Sequence, residues 1–283
     1  MKSTDKLYMI LSMAIFGTIG LFTRHIAITS GELALCRAML AAGFLLIYLA
    51  ATRQKLSIRA GKGELLRLLL SGVAMGFNWI LLFEAYKHTT ISIATLSYYF
   101  APVIVTVLSP LLFKERMTKK QIVCFLMSTL GLLLIIGVGD ASGASLTGIA
   151  YGLGAAALYA AVILLNKSIR SVTGLHRTIW QFLAAIATLL PYVLASGGFH
   201  LHLLDGAGWA CLLVMGLVHT GLAYCMYFSA LRSLSGQQAS ILSYIDPLVA
   251  VLISVLVLGE TMTLWQGVGG AMILGFTLLN ETA

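Results

Sequence analysis

The sequence predicts an all-α membrane protein, ten transmembrane helices arranged as two inverted five-helix repeats, and three observations carry that prediction. Of its 283 residues, 59% are hydrophobic and only 10% charged, whereas roughly a quarter of the residues of a soluble domain are charged. Ten apolar stretches alternate with short polar breaks, each near the length of about 20 residues that a helix needs to cross a hydrocarbon core about 30 Å thick. Finally, the chain matches itself when shifted by 145 residues: Phe83, Ala94, Tyr99, Pro102, Ser109, Glu115, Thr118 and Gln121 fall on Phe228, Ala239, Tyr244, Pro247, Ser254, Glu260, Thr263 and Gln266.

The stretches run, in order, over 7–28, 33–51, 64–86, 90–113, 120–138, 147–166, 177–195, 209–230, 237–258 and 264–280. The first could be mistaken for a signal peptide, but its apolar run is near spanning length and no small-residue cleavage site ends it, so it is expected to be the first span. The connections are too short to hold a soluble domain, which leaves the interior of the bundle as the place for function. Cys36, Cys124, Cys211 and Cys225 all fall inside apolar runs without metal-type spacing, the pattern of packing thiols rather than of disulfides or ligands. No metal, no cofactor and no nucleotide-binding loop is expected.

The net charge of +8 fits a bilayer better than a nucleic acid. With the N-terminus in the cytoplasm, 15 basic residues lie on the inner side and only Arg24, Arg37 and Lys87 fall outside, a strong positive-inside bias. A second register, shifted by 143, places Gly31, Ala41 and Ala42 on Gly174, Ala184 and Ala185, so the duplication covers residues 1–140 and 141–283. Five spans per copy is an odd number, and the second copy must cross in the opposite sense. The basic loop KERMTKK (114–120) and its uncharged-to-acidic partner GETMT (259–263) agree with that inversion. Inverted repeats serve transporters that open one central site alternately to each side.

The aromatic-Gly pair Phe16-Gly17 in span one, Arg37 early in span two, and in each half a proline followed by a Glu-X-Met-Thr turn (Pro102 and Glu115; Pro247 and Glu260) resemble the drug/metabolite transporter superfamily, EamA type, over nearly the whole chain. The resemblance implies a secondary transporter with an export bias, in which spans 1–4 and 6–9 surround a central cavity and spans 5 and 10 lie at the periphery. It implies no particular solute. Span six departs from the pattern, with Tyr159-Ala160 where span one has Phe16-Gly17.

The candidate site centres on LSYIDPLVAV (242–251). An aspartate near mid-bilayer costs about 2.5–3.5 kcal/mol on insertion scales and needs a compensating role. Pro247 removes a backbone donor and crowds the carbonyl of Ser243, so the helix should open there. Pro102 does the same at the matched position, and paired interruptions point to a transporter's site. Helical spacing puts Asp246 on one face with Ala239, Ser243 and Ala250, which the repeat maps onto Ala94, Tyr98, Ala101 and Val105. A carboxylate and a hydroxyl facing tyrosines would suit a small solute with an amine and an apolar or aromatic body. Tyr99, Tyr244, His219, Asn78, Trp79 and Tyr159 complete the set of substrate-binding candidates. For each the alternative is structural: a carboxyl bonded to a neighbouring helix, core rings, or a histidine and an asparagine bonding across helices. Glu84 has Lys87 and His88 at helical spacing and is expected to pair locally. Glu115 and Glu260 are expected to shape turns, with Thr118 and Thr263 capping the next helices. Gly148, Gly152, Ala156 and Ala160, with Gly267, Ala271 and Gly275, offer close-packing faces inside the bundle or at a dimer seam.

Two other classes compete. GVGD (137–140) has the form of an intramembrane aspartyl protease signature, but it sits at a helix end, the aspartates occur in the reverse order, and the duplication has no use in that chemistry. A passive channel would need a filter-like loop or charged ring. The favoured reading is a multi-pass exporter of a small amino-acid or amine-bearing solute in the cytoplasmic membrane, both termini inside, with protons as the candidate coupling ion and a monomer or homodimer as the functional unit.

Overall fold

The computed structural model describes residues 3–56, 60–113, 118–137, 146–172, 174–231, 234 and 242–281. Apart from the connecting turns they form ten helical rods: α1 (Ser3–Gly17) with α2 (Ile19–Thr23), α3 (Ser30–Ala51), α4 (Lys62–His88), α5 (Ile91–Tyr98) with α6 (Ala101–Phe113), α7 (Lys119–Gly137), α8 (Leu146–Lys167), α9 (Gly174–Ala195), α10 (Gly206–Gly216) continued through a π-helical turn (Leu217–Leu222) into α11 (Ala223–Leu231), α12 (Ile245–Leu252) with a second π turn (Ile253–Val257), and α13 (Leu264–Glu281). Seven of these rods are long and apolar enough to cross a membrane. The protein is an all-helical, multi-pass membrane protein. Span one stops at Thr23, short of the expected residue 28, and the next helix begins at Ser30, where Thr29 caps it by accepting a hydrogen bond from the Glu32 amide at 3.2 Å.

The principal contacts between halves are preserved when the halves are exchanged. Rod three packs on rod six as rod one packs on rod eight, rod four on six as nine on one, and rod three on seven as two on eight, while pairs two–seven, four–nine and five–ten map onto themselves. Local chemistry repeats too. Thr118 and Gln121 form a reciprocal capping box at 2.8 and 3.2 Å, and Thr263 and Gln266 form its twin at 2.9 and 3.2 Å, each satisfying the amides at the start of a helix. Rods five and ten meet where a Cβ on Gly131 would lie 2.6 Å from the Gly269 carbonyl oxygen.

The expected small-residue faces divide. Gly148 and Gly152 abut Thr89 and Ser97, and Ala156 and Ala160 are fully buried. The series Gly267, Ala271 and Gly275 supplies no close face inside the bundle: nothing lies within 4 Å of a Cβ on Gly275, and Gly269 and Gly270 make the tight contacts there. A helix repeats every 3.6 residues, and the seam falls on the neighbouring stripe. Cys36, Cys124, Cys211 and Cys225 are free thiols. Glu115, Asp140 and most of the GVGD motif lie outside the described residues.

Candidate functional site

Both halves break a helix just before the matched proline. Between α5 and α6, Tyr99 and Phe100 leave the α-helical path, the Phe100 amide falling back on the Ser97 carbonyl at 3.2 Å. Pro102 has no amide to offer the carbonyl four residues earlier, and the bulk of its ring opens the turn. Tyr244 marks the corresponding turn before Pro247. The matched tyrosines therefore face one another from two interrupted helices, Tyr99 and Tyr244 with ring centroids 6.4 Å apart.

At this meeting point the Tyr99 hydroxyl donates to Asp246 Oδ2 at 2.8 Å. Asp246 is deep among aromatic groups yet partly accessible, and no described residue donates to its other oxygen. Tyr98 stands beside it, edge-on to Tyr99 at 6.0 Å and stacked on Tyr159 at 5.3 Å. Helical spacing alone places Tyr98 opposite the carboxylate, but the break turns its neighbour Tyr99 onto Asp246, and Tyr98 joins the ring cluster one step away. Span one closes the site from the other side. A Cβ on Gly17 would lie 2.5 Å from the Asp246 carbonyl oxygen and 2.7 Å from Val249 Cβ, so only glycine allows α1 to reach the backbone of the break. Phe16 next to it meets the edge of Tyr224 at 5.4 Å.

Charge counting places Arg37 among the outer charges, and the structure places it elsewhere. It is the eighth residue of α3, 3% exposed, inside the bundle rather than beyond it. Its Nε donates to Thr220 Oγ1 at 2.6 Å, and Thr220 in turn donates to the Met215 carbonyl at 2.9 Å. The π turn supplies that arrangement, because its wider winding brings Thr220 over the carbonyl five residues back. Trp79 and Phe83, one turn apart on α4, lie against the guanidinium at 4.7 and 5.8 Å. Arg37 and Asp246 form no salt bridge. Charge counting over loops could not find this residue; its position eight residues into an apolar helix could have.

The remaining candidates separate by what they touch. Trp79 belongs to the Arg37 platform and packs on Phe182 at 5.6 Å. Tyr159 belongs to the Tyr98 stack, and Ser243 immediately precedes the break at Tyr244. His219, also on the π turn, faces span one: Nε2 is 2.7 Å from Thr18 Oγ1 and Nδ1 is 3.3 Å from the Val214 carbonyl. The Thr18 hydroxyl also reaches the Ile15 carbonyl at 2.8 Å, so it sits between that oxygen and the ring. Asn78 is not directed at Asp246: its Nδ2 donates to the Ala155 carbonyl at 2.6 Å, which ties α4 to α8. Glu84 pairs locally with Lys87 at 3.3 Å and His88 at 3.8 Å, as its spacing predicts. Glu260 does more than shape a turn. It pairs with Arg24, accepts from the Ile91 amide at 2.8 Å and bonds Ser254, so one carboxylate joins spans one, four and nine.

The family model for EamA-like transporters matches the chain twice, over residues 6–137 and 146–281. The chain is 32% identical to an uncharacterized transporter, YxxF, of Bacillus subtilis, with 96% of this chain and 88% of that protein covered. An uncharacterized transporter of Archaeoglobus fulgidus is 31% identical over 95% of this chain and 93% of its own. An inner membrane transporter of Salmonella typhimurium, YicL, is 24% identical over 99% and 96%. A solved protein structure shares the fold at a TM-score of 0.67 and 17% identity, covering 99% of this chain and 97% of that one.

Proposed function

The chain belongs to the EamA-like transporter family, a family of membrane transporters and not of enzymes, and from that premise we propose that it is a secondary transporter exporting a small amine-bearing solute across the cytoplasmic membrane. Residues 1–140 and 141–283 are two inverted five-helix repeats, and the solute site lies between them at the paired helix breaks. The observation that carries this reading is the hydrogen bond from Tyr99 to Asp246, a partly accessible carboxylate held where the interrupted helices of the two halves meet. A carboxylate bordered by ring faces attracts a cationic amine by charge and by the ring quadrupoles. The same carboxylate can hold a proton when the solute has left. A mid-bilayer charge is best tolerated when one partner or the other is bound, and such competition couples solute export to proton entry. Helices interrupted at Pro102 and Pro247 give each half a hinge for alternating access.

The test is transport by Asp246→Asn in proteoliposomes, which keeps the shape and removes the charge. If Asp246 only carries protons, uptake driven by a pH gradient is lost while exchange of labelled for unlabelled solute persists. If it also pairs with the amine, exchange and binding fall together, which is the expected result. Wild-type kinetics with an unchanged pH dependence would show that the aspartate is structural.

A further inference from the structure

We infer that Arg24 and Glu260 are gating residues, a charge latch that ties spans one, four and nine together on the outer side of the Asp246 break and parts before solute leaves to the outside. This rests on the proposed orientation and central site, and it adds the residues that close one end of that site.

Three observations converge. First, the latch joins the same three spans that meet at the break. Gly17 of span one and Tyr99 of span four reach Asp246 of span nine, and further along the same rods Arg24 of span one and the Ile91 amide of span four reach Glu260. Helix α5 (Ile91–Tyr98) sets the two levels about 12 Å apart at its rise of about 1.5 Å per residue. Second, Glu260 is seated for a charge that can let go. Its Oε2 accepts from the Ile91 amide at 2.8 Å and bonds Ser254, whose Oγ accepts from the Ser92 amide at 3.2 Å. Those amides begin α5, where the helix dipole favours an anion. Arg24 is 43% exposed and Glu260 only 8%, so the pair stands at the boundary between interior and solvent, where an ion pair is weak enough to open in each cycle.

Third, the duplication places a twin at the opposite end. Arg24, Ser254 and Glu260 fall on Lys167, Ser109 and Glu115 in the two registers of the repeat. Lys167 Nζ donates to Ser109 Oγ at 3.0 Å, which joins spans six and four at the proposed inner end, and Glu115 is matched by sequence alone. A basic residue, a serine and a carboxylate at each end suit a path in which one end is closed while the other opens.

The test needs no solute. In full-length protein lacking Cys36, Cys124, Cys211 and Cys225, Ser243→Cys sits beside the break at a partly accessible position. Its reaction with an impermeant maleimide in right-side-out and in inverted vesicles reports opening to each side. Glu260→Gln keeps an oxygen for the Ile91 amide and removes only the charge, and it should raise the labelling rate from outside about 2- to 5-fold, the range for loss of a partly exposed ion pair. Arg24→Gln should do the same, and the double variant should add nothing to either single change, as for two residues that act as one pair. Glu115→Gln should instead raise labelling from the cytoplasmic side. Arg24→Gln carries the test where Glu260→Gln does not fold. Unchanged labelling in the folded variants, or effects of Arg24→Gln and Glu260→Gln that simply multiply, overturns the latch and leaves the central site intact. The same effects with the two sides exchanged support the latch and overturn the orientation. Labelling of Ser243→Cys from neither side overturns the central site, and the latch with it.

Discussion

Gly17→Ala adds one methyl group at the point where span one touches the break in span nine. The added carbon would lie 2.5 Å from the Asp246 carbonyl oxygen and 2.7 Å from Val249 Cβ, and ordinary contact begins near 3.4 Å, so α1 and α12 must part by about 0.9 Å. Overpacking of this size costs about 1–3 kcal/mol, and replacing a helical glycine by alanine returns at most about 1 kcal/mol. That return is smaller at Gly17, the last residue of α1. The net loss of stability is therefore modest, about 1–2 kcal/mol, and the protein should still fold. The functional loss is larger, because the displaced segment is the one that holds Asp246 at 2.8 Å from Tyr99. Losing a hydrogen bond to a charged group is worth about 1.5–3 kcal/mol, or roughly 10- to 100-fold in solute affinity. The control is Gly43→Ala in α3, where nothing lies within 4 Å of the new carbon; it should be neutral or slightly stabilising and should transport normally. Thermal midpoints in detergent and solute exchange in proteoliposomes measure the two effects. If Gly17→Ala matches Gly43→Ala in both, contact between span one and the break does not position Asp246.

Glu260→Ala should lower the unfolding midpoint more than Glu260→Gln, because the Gln side chain still accepts from the Ile91 amide. The lost cap is worth about 1 kcal/mol, and the pair with Arg24, 43% exposed, adds less than about 1 kcal/mol. Equal midpoints would mean that the Ile91 contact does not matter. In a background lacking Cys36, Cys124, Cys211 and Cys225, Lys119→Cys should react with an impermeant maleimide only from the cytoplasmic side and Thr261→Cys only from outside. Labelling of both from one side would remove the inverted-repeat proposal.

Hydropathy made most of the rods legible because spanning length leaves little freedom, and several observed helices, such as Ser30–Ala51, Leu146–Lys167 and Gly206–Leu231, begin or end within three residues of the apolar stretches. The breaks at Pro102 and Pro247 were legible for a chemical reason, the missing amide. The π turns at 217–222 and 253–257 were not, because neither contains a proline, and the His219-Thr220-Gly221 triplet of the first marks a polar spot without fixing the winding of the helix. The consequence was largest at Arg37, whose partner Thr220 lies on the first of these turns. Tyr98 and Tyr99 show the same limit at smaller scale: a regular helical period decides which ring faces Asp246 only if the helix is unbroken, and the proline that marks the site also changes the register there.

Proton release on solute binding tests the competition at Asp246 most directly. Calorimetry in buffers of different ionisation enthalpy gives the number of protons exchanged per solute bound, and the link between proton and ligand at one carboxylate requires release of up to about one proton near and below the pH at which that carboxylate titrates. The wild type should release protons, more as the pH falls, and Asp246→Asn, where it still binds, should release none. Equal release by both proteins, or none by the wild type at any pH, would contradict the assignment of Asp246 as the shared site of proton and solute.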